Sequence, residues 1–379
     1  MMIEILLILV FALLLLNYIY FLADIIRGLN KFSKNDPTII PDEFITIIIP
    51  FRNESDNILL SLSSLASQNY PQEKFEVIYV NDSSTDDSYE KILNAVKPKS
   101  IKLMTLPCIS IDRAFKKKAV SYGIDHSQGE IIVTSDADCI HNRDWLTNLL
   151  SGFDKQTGFI SGPVSFNEKR DLFSKIQSLE FAGLVLSGAG LIGIGKPTIC
   201  NGANLAFRKK VYNELHGYRD QMHLSSGEDE LFMQKIATET DYTVKFCWNK
   251  GAVVLTQPNK NTHDFFQQRK RWASKGLFYK DKFLIVRLVL IYFFYLSIVV
   301  QILLSIFLSK VFIIYLMVGL IFKFFLEYKI ISKGIDFLFK YDLMKYFWMS
   351  ELFQIFYVTI SGISGLFGNF KWKERKFRR

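Results

Sequence analysis

The sequence contains little cysteine, and the cysteines it has are isolated. There are four in 379 residues, and none lies at a spacing typical of paired metal ligands. Isolated cysteines of this kind are expected to be small buried side chains in a reducing compartment. A cysteine-held metal is therefore not predicted. The cysteines are Cys108, Cys139, Cys200 and Cys247.

The glycine pattern of a dinucleotide-binding enzyme is also missing. A dehydrogenase would carry Gly-x-Gly-x-x-Gly directly after its first strand, whereas residues 50–56 read Pro-Phe-Arg-Asn-Glu-Ser-Asp. This difference argues against hydride transfer. The chain also shows no internal repeat and no low-complexity tract.

A long uncharged run is, by contrast, present near the start. Residues 5–23 carry no charge, and about 20 apolar residues are needed to cross the hydrocarbon core of a bilayer. A secretory signal peptide would need a basic stretch before the run and a small-residue cleavage site after it. Instead Glu4 precedes the run, and Asp24 and Arg27 follow it. We therefore expect residues 1–26 to form a transmembrane helix.

Further apolar segments follow in the last third of the chain. Residues 283–328 are long enough for a transmembrane helical hairpin that turns near Ser309 and Lys310. Residues 346–368 form a third hydrophobic segment, compatible with a spanning or a re-entrant helix. A basic tail occupies 369–379.

Basic residues lie at the boundaries of these apolar segments and contribute to a net charge of +9 and a pI near 9.1. Lys and Arg near helix ends stay on the cytoplasmic side, so we expect a multi-pass protein of the cell membrane whose middle segment is cytoplasmic. The tail obeys this rule only if one C-terminal segment does not fully cross. The boundary residues are Arg27, Lys31, Lys34, Arg269, Lys270, Arg271, Lys275, Lys280 and Lys282.

The location of the positive charge also indicates its partner. Basic flanks at a membrane surface attract anionic lipids, at about 1 kcal/mol per residue. Nucleic acid is the competing partner for a basic chain. Because the charge lies at membrane boundaries, we expect membrane lipids and no nucleic acid.

Residues 43–261 alternate between short apolar strands and helical patterns, and we expect them to form one α/β domain. Such alternation is typical of a parallel sheet covered by helices. We therefore expect a Rossmann-like arrangement in this domain. An amphipathic interfacial helix is expected next, over 262–282. The expected strands are 44–50, 75–80, 101–105, 130–134 and 158–164.

Acidic residues follow several of these strands, at the edge where ligands of such sheets bind. Asp82 comes after the second strand, and Asp136 and Asp138 come after the fourth. Carboxylate oxygens suit Mg²⁺ or Mn²⁺, and such an ion can bridge a diphosphate. The alternative for the pair alone is a solvated turn, because two acidic residues with one residue between them are common in loops. Their position after an apolar strand favours a metal site.

Five short motifs follow one another along the chain. They are Ile-Pro-Phe-Arg-Asn-Glu (49–54), Val-Asn-Asp-Ser-Ser-Thr-Asp (80–86), Ser-Asp-Ala-Asp (135–138), Gly-Glu-Asp-Glu (227–230) and Gln-Arg-Lys-Arg-Trp (268–272). With these motifs in this order, the chain resembles glycosyltransferase family 2 over about residues 44–280. That family has the GT-A fold and includes cellulose, chitin and hyaluronan synthases and ceramide glucosyltransferase. Any one motif is weak, whereas five in order are specific.

The resemblance implies a donor site for a nucleoside-diphosphate sugar, with a UDP-sugar expected. Glu54 and Asp82 would hold the nucleoside by position, although a solvated carboxylate near a helix start is the alternative for Glu54. One of three consecutive lysines would contact a phosphate, or all three would form a solvated basic face. The implied donor-binding residues are Pro50, Arg52, Glu54, Asp82, Lys117 and Asp136, and the implied ligands of Mg²⁺ or Mn²⁺ are Asp136 and Asp138, with Asp138 favoured as the direct ligand.

The resemblance also implies an acceptor side. Asp229 matches the general base, which takes the proton of the attacking hydroxyl. The alternative for Asp229 and Glu228 is a helix-start charge that complements the dipole. In the last motif, a forked arginine can neutralise a leaving phosphate and a tryptophan offers a flat face for a sugar ring. The implied residues for catalysis and for the acceptor and diphosphate are Glu228, Asp229, Gln268, Arg271 and Trp272.

Together these expectations describe an inverting, metal-dependent glycosyltransferase with a lipid-linked or other membrane-proximal acceptor. About four hydrophobic segments are few for a polymer channel, so a polysaccharide synthase subunit, acting as a homo-oligomer or with a partner membrane protein, is the second interpretation. A membrane-bound nucleotide-sugar sensor without turnover is a third, which the presence of Asp229 and the Gln-x-x-Arg-Trp motif disfavours. A transporter would need more intramembrane polar residues than this sequence shows.

Overall fold

The computed structural model describes residues 2–33, 40–107, 115–167, 171–224, 227–367, 370–372 and 375–377. Lys34 and Cys108 lie outside these ranges, as does part of the basic tail 369–379. Three further cysteines are free thiols rather than members of disulfides, namely Cys139, Cys200 and Cys247.

A mixed sheet forms the centre of the polar domain. Its strands are β1 (Ile45–Phe51), β2 (Phe75–Asn81), β3 (Ile101–Thr105), β4 (Ile131–Thr134), β5 (Thr157–Ser161), β7 (Leu205–Arg208) and β8 (Thr243–Phe246), and a separate pair consists of β6 (Val164–Phe166) and β9 (Val254–Thr256). The strand order is β3-β2-β1-β4-β7-β5-β8. Only β7 runs antiparallel to its neighbours β4 and β5 among these described strands. The α/β fold predicted from the sequence is confirmed.

Continuous apolar runs explain the centre of the sheet. Every residue of β1, β2 and β4 is buried, as expected for parallel strands covered on both faces. One predicted strand, 158–164, is wrong in its extent, because β5 ends at Ser161 and β6 begins at Val164. Pro163 lacks the N–H that a continuing strand would need. The carbonyl of Pro163 instead accepts a hydrogen bond from the N–H of Val254, at 3.0 Å.

Twelve α-helices are described over the same ranges. They are α1 (Met2–Leu29), α2 (Ile58–Ala66), α3 (Ser88–Asn94), α4 (Phe115–Asp125), α5 (Trp145–Leu149), α6 (Leu172–Gly193), α7 (Lys209–Glu214), α8 (Glu228–Glu239), α9 (Thr262–Ala273), α10 (Lys282–Phe307), α11 (Val311–Leu338) and α12 (Phe347–Phe367). In the tail, β10 (Phe370–Trp372) pairs with β11 (Arg375–Phe377). Within the described ranges, four helices are long and apolar enough to cross a membrane, namely α1, α6, α10 and α11.

Two helices, α10 and α11, occupy the position of the predicted hairpin, and the second is longer than expected. The chain turns at residues 308–310, as predicted, while α11 continues beyond residue 328 to Leu338. The extension is helical because its inner face packs against protein, with Ile331 and Ile335 buried. The extension is amphipathic rather than continuously apolar, so the apolar run of the sequence does not include it.

The helix α6 was not predicted. Its sequence contains Lys175 and Glu180, and the sequence analysis assigned it to the polar domain. In the structure α6 packs tightly on α1. At Gly190 an added Cβ would lie 2.5 Å from the carbonyl oxygen of Ile25, so only glycine allows this approach. The helix α6 therefore joins the polar domain to the first apolar helix.

The predicted helix 262–282 is wrong as a single element. The helix α9 ends at Ala273, and a new helix, α10, begins at Lys282. The side chain of Asp281 caps α10 by accepting hydrogen bonds from the N–H groups of Phe283 and Leu284. An aspartate at such a cap favours a helix start at this point, and the intervening residues form a turn that faces the site described below.

Polar side chains from α1, α10, α11 and α12 meet inside the apolar region. Lys323 is fully buried, and its Nζ lies 3.0 Å from Glu327 Oε2 and 2.7 Å from Gln354 Oε1, with Glu351 also in contact. Tyr295 donates a hydrogen bond to Gln354 Oε1 at 2.9 Å. We refer to Tyr18, Tyr295, Lys323, Glu327, Glu351 and Gln354 as the interhelical polar cluster.

Candidate active site

The loops after β1 and β2 hold each other at the carboxyl edge of the sheet. Arg52 Nη1 donates a hydrogen bond to the carbonyl oxygen of Asp82 at 2.9 Å. Asn53 has a φ of 51°, a left-handed conformation that costs about 1 kcal/mol for a residue with a side chain. This conformation lets Asn53 Oδ1 accept a hydrogen bond from the N–H of Thr85 at 2.9 Å. Glu54 and Asp82 are thereby placed on neighbouring loops.

Two carboxylates lie beside them, directly after β4. Asp136 Oδ1 is 2.6 Å from Lys116 Nζ, and Asp138 Oδ2 accepts a hydrogen bond from Thr256 Oγ1 at 3.1 Å. Among the described residues there is no group of three His, Cys, Asp or Glu side chains that could hold a metal ion. Two carboxylates fit an ion such as Mg²⁺ that takes its remaining ligands from water and substrate phosphates.

The lysine at this edge is Lys116, one position before the predicted Lys117. Lys116 Nζ lies between Asp136 and Glu228, at 3.7 Å from Glu228 Oε1. Burial lowers the pKa of Lys116, but the nearby carboxylates outweigh burial and the net pKa is well above its ordinary value. Lys117 is buried and donates to the carbonyl oxygen of Leu224 at 2.7 Å. Consecutive helical residues differ by about 100° in direction, so only one of them points to the cleft.

Asp229 lies in the first turn of α8, where the helix dipole favours negative charge. Its Oδ2 accepts a hydrogen bond from the N–H of Gly202 at 2.9 Å, and Lys275 Nζ is 3.9 Å from its Oδ1. Burial raises the pKa of Asp229, but Lys275, Lys116 and the N–H donors outweigh it, so the net pKa is below the ordinary value. Asp229 is therefore ionised at neutral pH.

Three residues close to Asp229, namely Glu230, Lys275 and Tyr279, were missed as site residues by the sequence analysis. Lys275 Nζ lies 3.1 Å from Glu230 Oε2, and Tyr279 OH donates a hydrogen bond to the same oxygen at 2.8 Å. Burial, together with the charge of Asp229, raises the pKa of Glu230 to about 7, although Lys275 lowers it. The signals for this group were Glu230 within the fourth motif and the lysine and tyrosine that closely follow the fifth.

The last motif lies on α9, and Arg269 within it holds the neighbouring motif residues in place. The Arg269 guanidinium is 4.3 Å from the centre of the Trp272 ring and donates a hydrogen bond to Gln268 Oε1. It also forms a buried ion pair with Glu180 of α6, and the hydroxyl of Tyr357 on α12 donates to the same carboxylate. Arg269 therefore joins the motif to two other helices.

Arg271 projects toward the acidic residues. Burial lowers its pKa, whereas the carboxylates of Glu228, Asp136 and Asp229 act in the opposite direction. An arginine stays charged at neutral pH under such conditions. The structure thus brings a cation from α9 within electrostatic range of the residues after β4 and at the start of α8.

The predicted site residues other than Lys117 line one cleft of about 720 Å³, and Lys116, Glu230, Lys275 and Tyr279 line it with them. Glu228 Oε2 is buried there without a hydrogen-bond partner among the described residues, which is unusual for a carboxylate and typical of a site that expects a ligand. The predicted residues that line the cleft are Pro50, Arg52, Glu54, Asp82, Asp136, Asp138, Glu228, Asp229, Gln268, Arg271 and Trp272.

Curated relatives share part of this chain. It is 27% identical over 268 residues to a poly-beta-1,6-N-acetyl-D-glucosamine synthase from Staphylococcus aureus, with 68% of this chain and 60% of that protein covered. It is 29% identical over 213 residues to the glycosyltransferase AglE from Haloferax volcanii, with 54% of this chain and 64% of that protein covered. The chain thus spans less than two thirds of the length of these relatives.

A solved structure shares the fold over almost the whole chain. It is that of the mannosyltransferase PcManGT from Pyrobaculum calidifontis, in complex with GDP-Man and Mn²⁺, with a TM-score of 0.60 and 18% identity. The match covers 96% of this chain and 97% of that chain. At this identity the likeness shows the fold, and it confirms the predicted GT-A architecture.

Two family models match overlapping parts of the chain. The model described as glycosyl transferase family 2 matches residues 46–215, and the model described as glycosyl transferase family group 2 matches residues 131–353. The second match alone exceeds half of the chain and includes Asp136, Asp229 and the α9 motif. The protein belongs to glycosyltransferase family 2.

Proposed function

We propose that the protein is an inverting glycosyltransferase that moves a sugar from a nucleoside-diphosphate sugar, with UDP as the expected nucleotide, to a lipid-linked or membrane-proximal acceptor. The observation that carries the proposal is the single cleft. Carboxylates and cations that are separated by up to about two hundred positions in the sequence line it together. A convergence of this kind in a concave site is typical of catalysis.

The donor would occupy the side formed by the sheet edge. Glu54 and Asp82 lie where a ribose and a base can donate hydrogen bonds to them. A Mg²⁺ or Mn²⁺ ion held by Asp136 and Asp138 would neutralise part of the diphosphate charge. Lys116 lies 2.6 Å from Asp136, so it is near enough to contact the same phosphates.

The transfer step uses Asp229 as the base. Its ionised carboxylate accepts the proton of the acceptor hydroxyl while that oxygen attacks the anomeric carbon. The bond from the anomeric carbon to the diphosphate oxygen breaks in the same step, and its electron pair stays with the diphosphate. Arg271 stabilises that charge. One displacement from the opposite face inverts the anomeric configuration.

The burial of the four apolar helices supports an assignment of the spanning segments. Of the four apolar helices, α6 has 61% of its most apolar window buried inside the protein, against 33% for α1 and 22% each for α10 and α11. We therefore assign α1, α10 and α11 as the spanning helices and keep α6 with the polar domain. Three crossings place the polar domain and the basic tail on one side. That side is cytoplasmic if basic residues mark it.

A second candidate function is the extension of a polysaccharide. The similarity to a poly-beta-1,6-N-acetyl-D-glucosamine synthase over 268 residues favours it. In that case the acceptor would be the growing polymer, and a second copy or a partner membrane protein would complete the path through the membrane.

The test uses purified protein with a panel of labelled UDP- and GDP-sugars, Mn²⁺ and either a lipid extract or soluble oligosaccharides. We expect one donor to give a labelled product in the parent, and Asp229→Asn to lower transfer by about 10²–10⁴-fold without weakening donor binding. The matched control is Asp241→Asn, an exposed aspartate just beyond the end of α8 at Glu239. Equal transfer by Asp229→Asn and the parent would refute the base assignment. Donor binding without any turnover in the parent would favour a sensor.

A further inference from the structure

The cleft has an apolar part that extends away from the charged residues, between α10 and α12. On α10 the lining residues recur at the spacing of one helix face and extend over about 12 Å at 1.5 Å per residue. Val358 and Gly362 of α12 lie opposite. We call these seven residues the apolar branch. Its α10 members are Ile285, Leu288, Val289, Tyr292 and Phe293.

The apolar branch depends on a close approach of the two helices and opens at the protein surface. The ring of Tyr292 lies against Gly362, where an added Cβ would be 2.2 Å from Tyr292 Cε2. At the rim, Val289 is 37% exposed and Phe293 is 46% exposed. Since α10 is assigned as a spanning helix, this opening faces the hydrocarbon of the bilayer.

The chemistry changes along the cavity. At its charged end are Asp229, Lys275 and Tyr279. Next to the apolar branch, Ser361 lines the cavity with its hydroxyl buried and without a hydrogen-bond partner among the described residues. The apolar branch itself is formed by four aliphatic side chains, the rings of Tyr292 and Phe293, and Gly362. A buried hydroxyl without a partner costs free energy, and a polar ligand passing this point would satisfy it.

From this arrangement we infer that the apolar branch holds the hydrocarbon chain of the acceptor lipid, whose hydroxyl-bearing head group passes Ser361 and reaches Asp229. A polysaccharide would place many hydroxyl groups in the apolar branch without hydrogen-bond partners, which is unfavourable. Of the seven residues only Tyr292 has a polar side-chain group, and its hydroxyl already donates a hydrogen bond to the carbonyl oxygen of Thr359. A hydrocarbon chain gains from the same walls. The inference rests on the proposed glycosyl transfer and specifies its acceptor as an amphipathic lipid that enters from the bilayer.

The first test measures binding and does not depend on turnover. The protein in phosphatidylcholine nanodiscs is photolabelled with dodecyl glucoside that carries a diazirine in its chain. We expect label on the apolar branch that excess unlabelled dodecyl glucoside displaces and methyl glucoside does not. Label spread evenly over the outward faces of α10 and α11, or not displaced, would overturn the inference.

The second test uses two matched valines on α10. Val289→Trp fills the apolar branch, whereas Val286→Trp places the same side chain on the outward face, where Val286 is 56% exposed and does not line the cleft. We expect Val289→Trp to reduce labelling and transfer to lipid extract by about tenfold, because part of the chain loses its apolar contacts, while nucleotide-sugar binding is unchanged. Val286→Trp should match the parent.

The outcomes separate the two proposals. Transfer to a lipid acceptor that is equal in Val289→Trp and the parent, or transfer only to soluble glycans in both, would overturn the lipid site. A parent protein that is labelled in the apolar branch but binds no nucleotide sugar would instead refute the proposed function and leave the lipid site standing.

Discussion

The cleft and the interhelical polar cluster both bury charged side chains, but the two regions differ in how those charges are paired. In the cluster, Lys323 is fully buried and contacts Glu327, Glu351 and Gln354. In the cleft, the side chain of Asp136 remains 33% exposed and Glu228 keeps a carboxylate oxygen without a partner among the described residues. The cluster is closed, and the cleft is open to a ligand.

The comparison shows that burial of charge alone does not identify a functional site. A closed network in a medium of low dielectric fixes the arrangement of the helices that contribute to it. An open set of charges around a cavity leaves electrostatic interactions to be made with a substrate. We therefore expect changes in the cluster to act on stability and changes in the cleft to act on transfer.

The largest effect is expected from opening the closed region. Lys323→Met leaves two buried carboxylates without their cation, and removal of one partner of a buried pair costs about 3–5 kcal/mol. We expect loss of monodisperse protein in detergent or a much lower unfolding temperature by thermal scanning. The compensated variant Lys323→Met with Glu327→Gln and Glu351→Gln should recover most of the stability. Parent-like stability of the single variant would show that the cluster is not closed.

The sequence predicted the residues of the cleft better than those of the polar cluster. Asp82, Asp136 and Asp229 could be placed because each is part of a short motif at the end of a strand or the start of a helix. The cluster could not, because Lys323, Glu327 and Glu351 are scattered in apolar sequence and their pairing depends on how α11 and α12 pack. The helix α6 was missed for the same reason. Its glycines allow close packing on α1, and that packing is visible only in the structure.

Within the cleft, the sequence did not show which side of a helix each side chain occupies. Three consecutive lysines, 116–118, point in different directions, and the sequence pattern alone does not show which one faces the carboxylates. Lys275 and Tyr279 were missed as partners of Glu230 because a turn after α9, rather than the predicted continuous helix, brings them to α8.

A smaller effect is expected at the residue that holds the α9 motif in place. Arg269 contacts Glu180, Gln268 and Trp272, and Arg269→Lys keeps the charge but loses the forked contact and the planar stacking. We expect kcat for transfer to fall about 10–100-fold through misplacement of the motif, with a smaller change in stability than for Lys323→Met. The control is Lys270→Arg, which does not line the cleft. Unchanged kcat in Arg269→Lys would show that Arg269 is not a positioning residue.

The smallest expected effect is a pH dependence of stability that arises from Glu230 in the cleft. The pKa of Glu230 is raised from 4.5 to about 7, so its contribution to stability is fully present below pH 4.5 and is lost as the pH rises through 7. Glu230→Gln cannot ionise. We therefore expect it to gain stability relative to the parent, by about 1–3 kcal/mol, between pH 5 and pH 8.

Thermal scanning of Glu230→Gln and the parent at several pH values checks this prediction. Glu239→Gln, a change of an exposed residue on the same helix, provides the control and should show a parent-like pH dependence. A constant difference between Glu230→Gln and the parent from pH 5 to pH 8 would contradict the assigned pKa.

The most direct test of the open cleft is a titration of UDP and GDP into the protein with and without Mn²⁺. We predict that Mn²⁺ tightens binding of one nucleotide in the parent and in Asp125→Ala, an exposed residue at the end of α4. In Asp138→Ala, Mn²⁺ should give no such gain. Nucleotide binding that is independent of Mn²⁺ in the parent, or a full Mn²⁺ effect in Asp138→Ala, would contradict a metal-held diphosphate between these carboxylates.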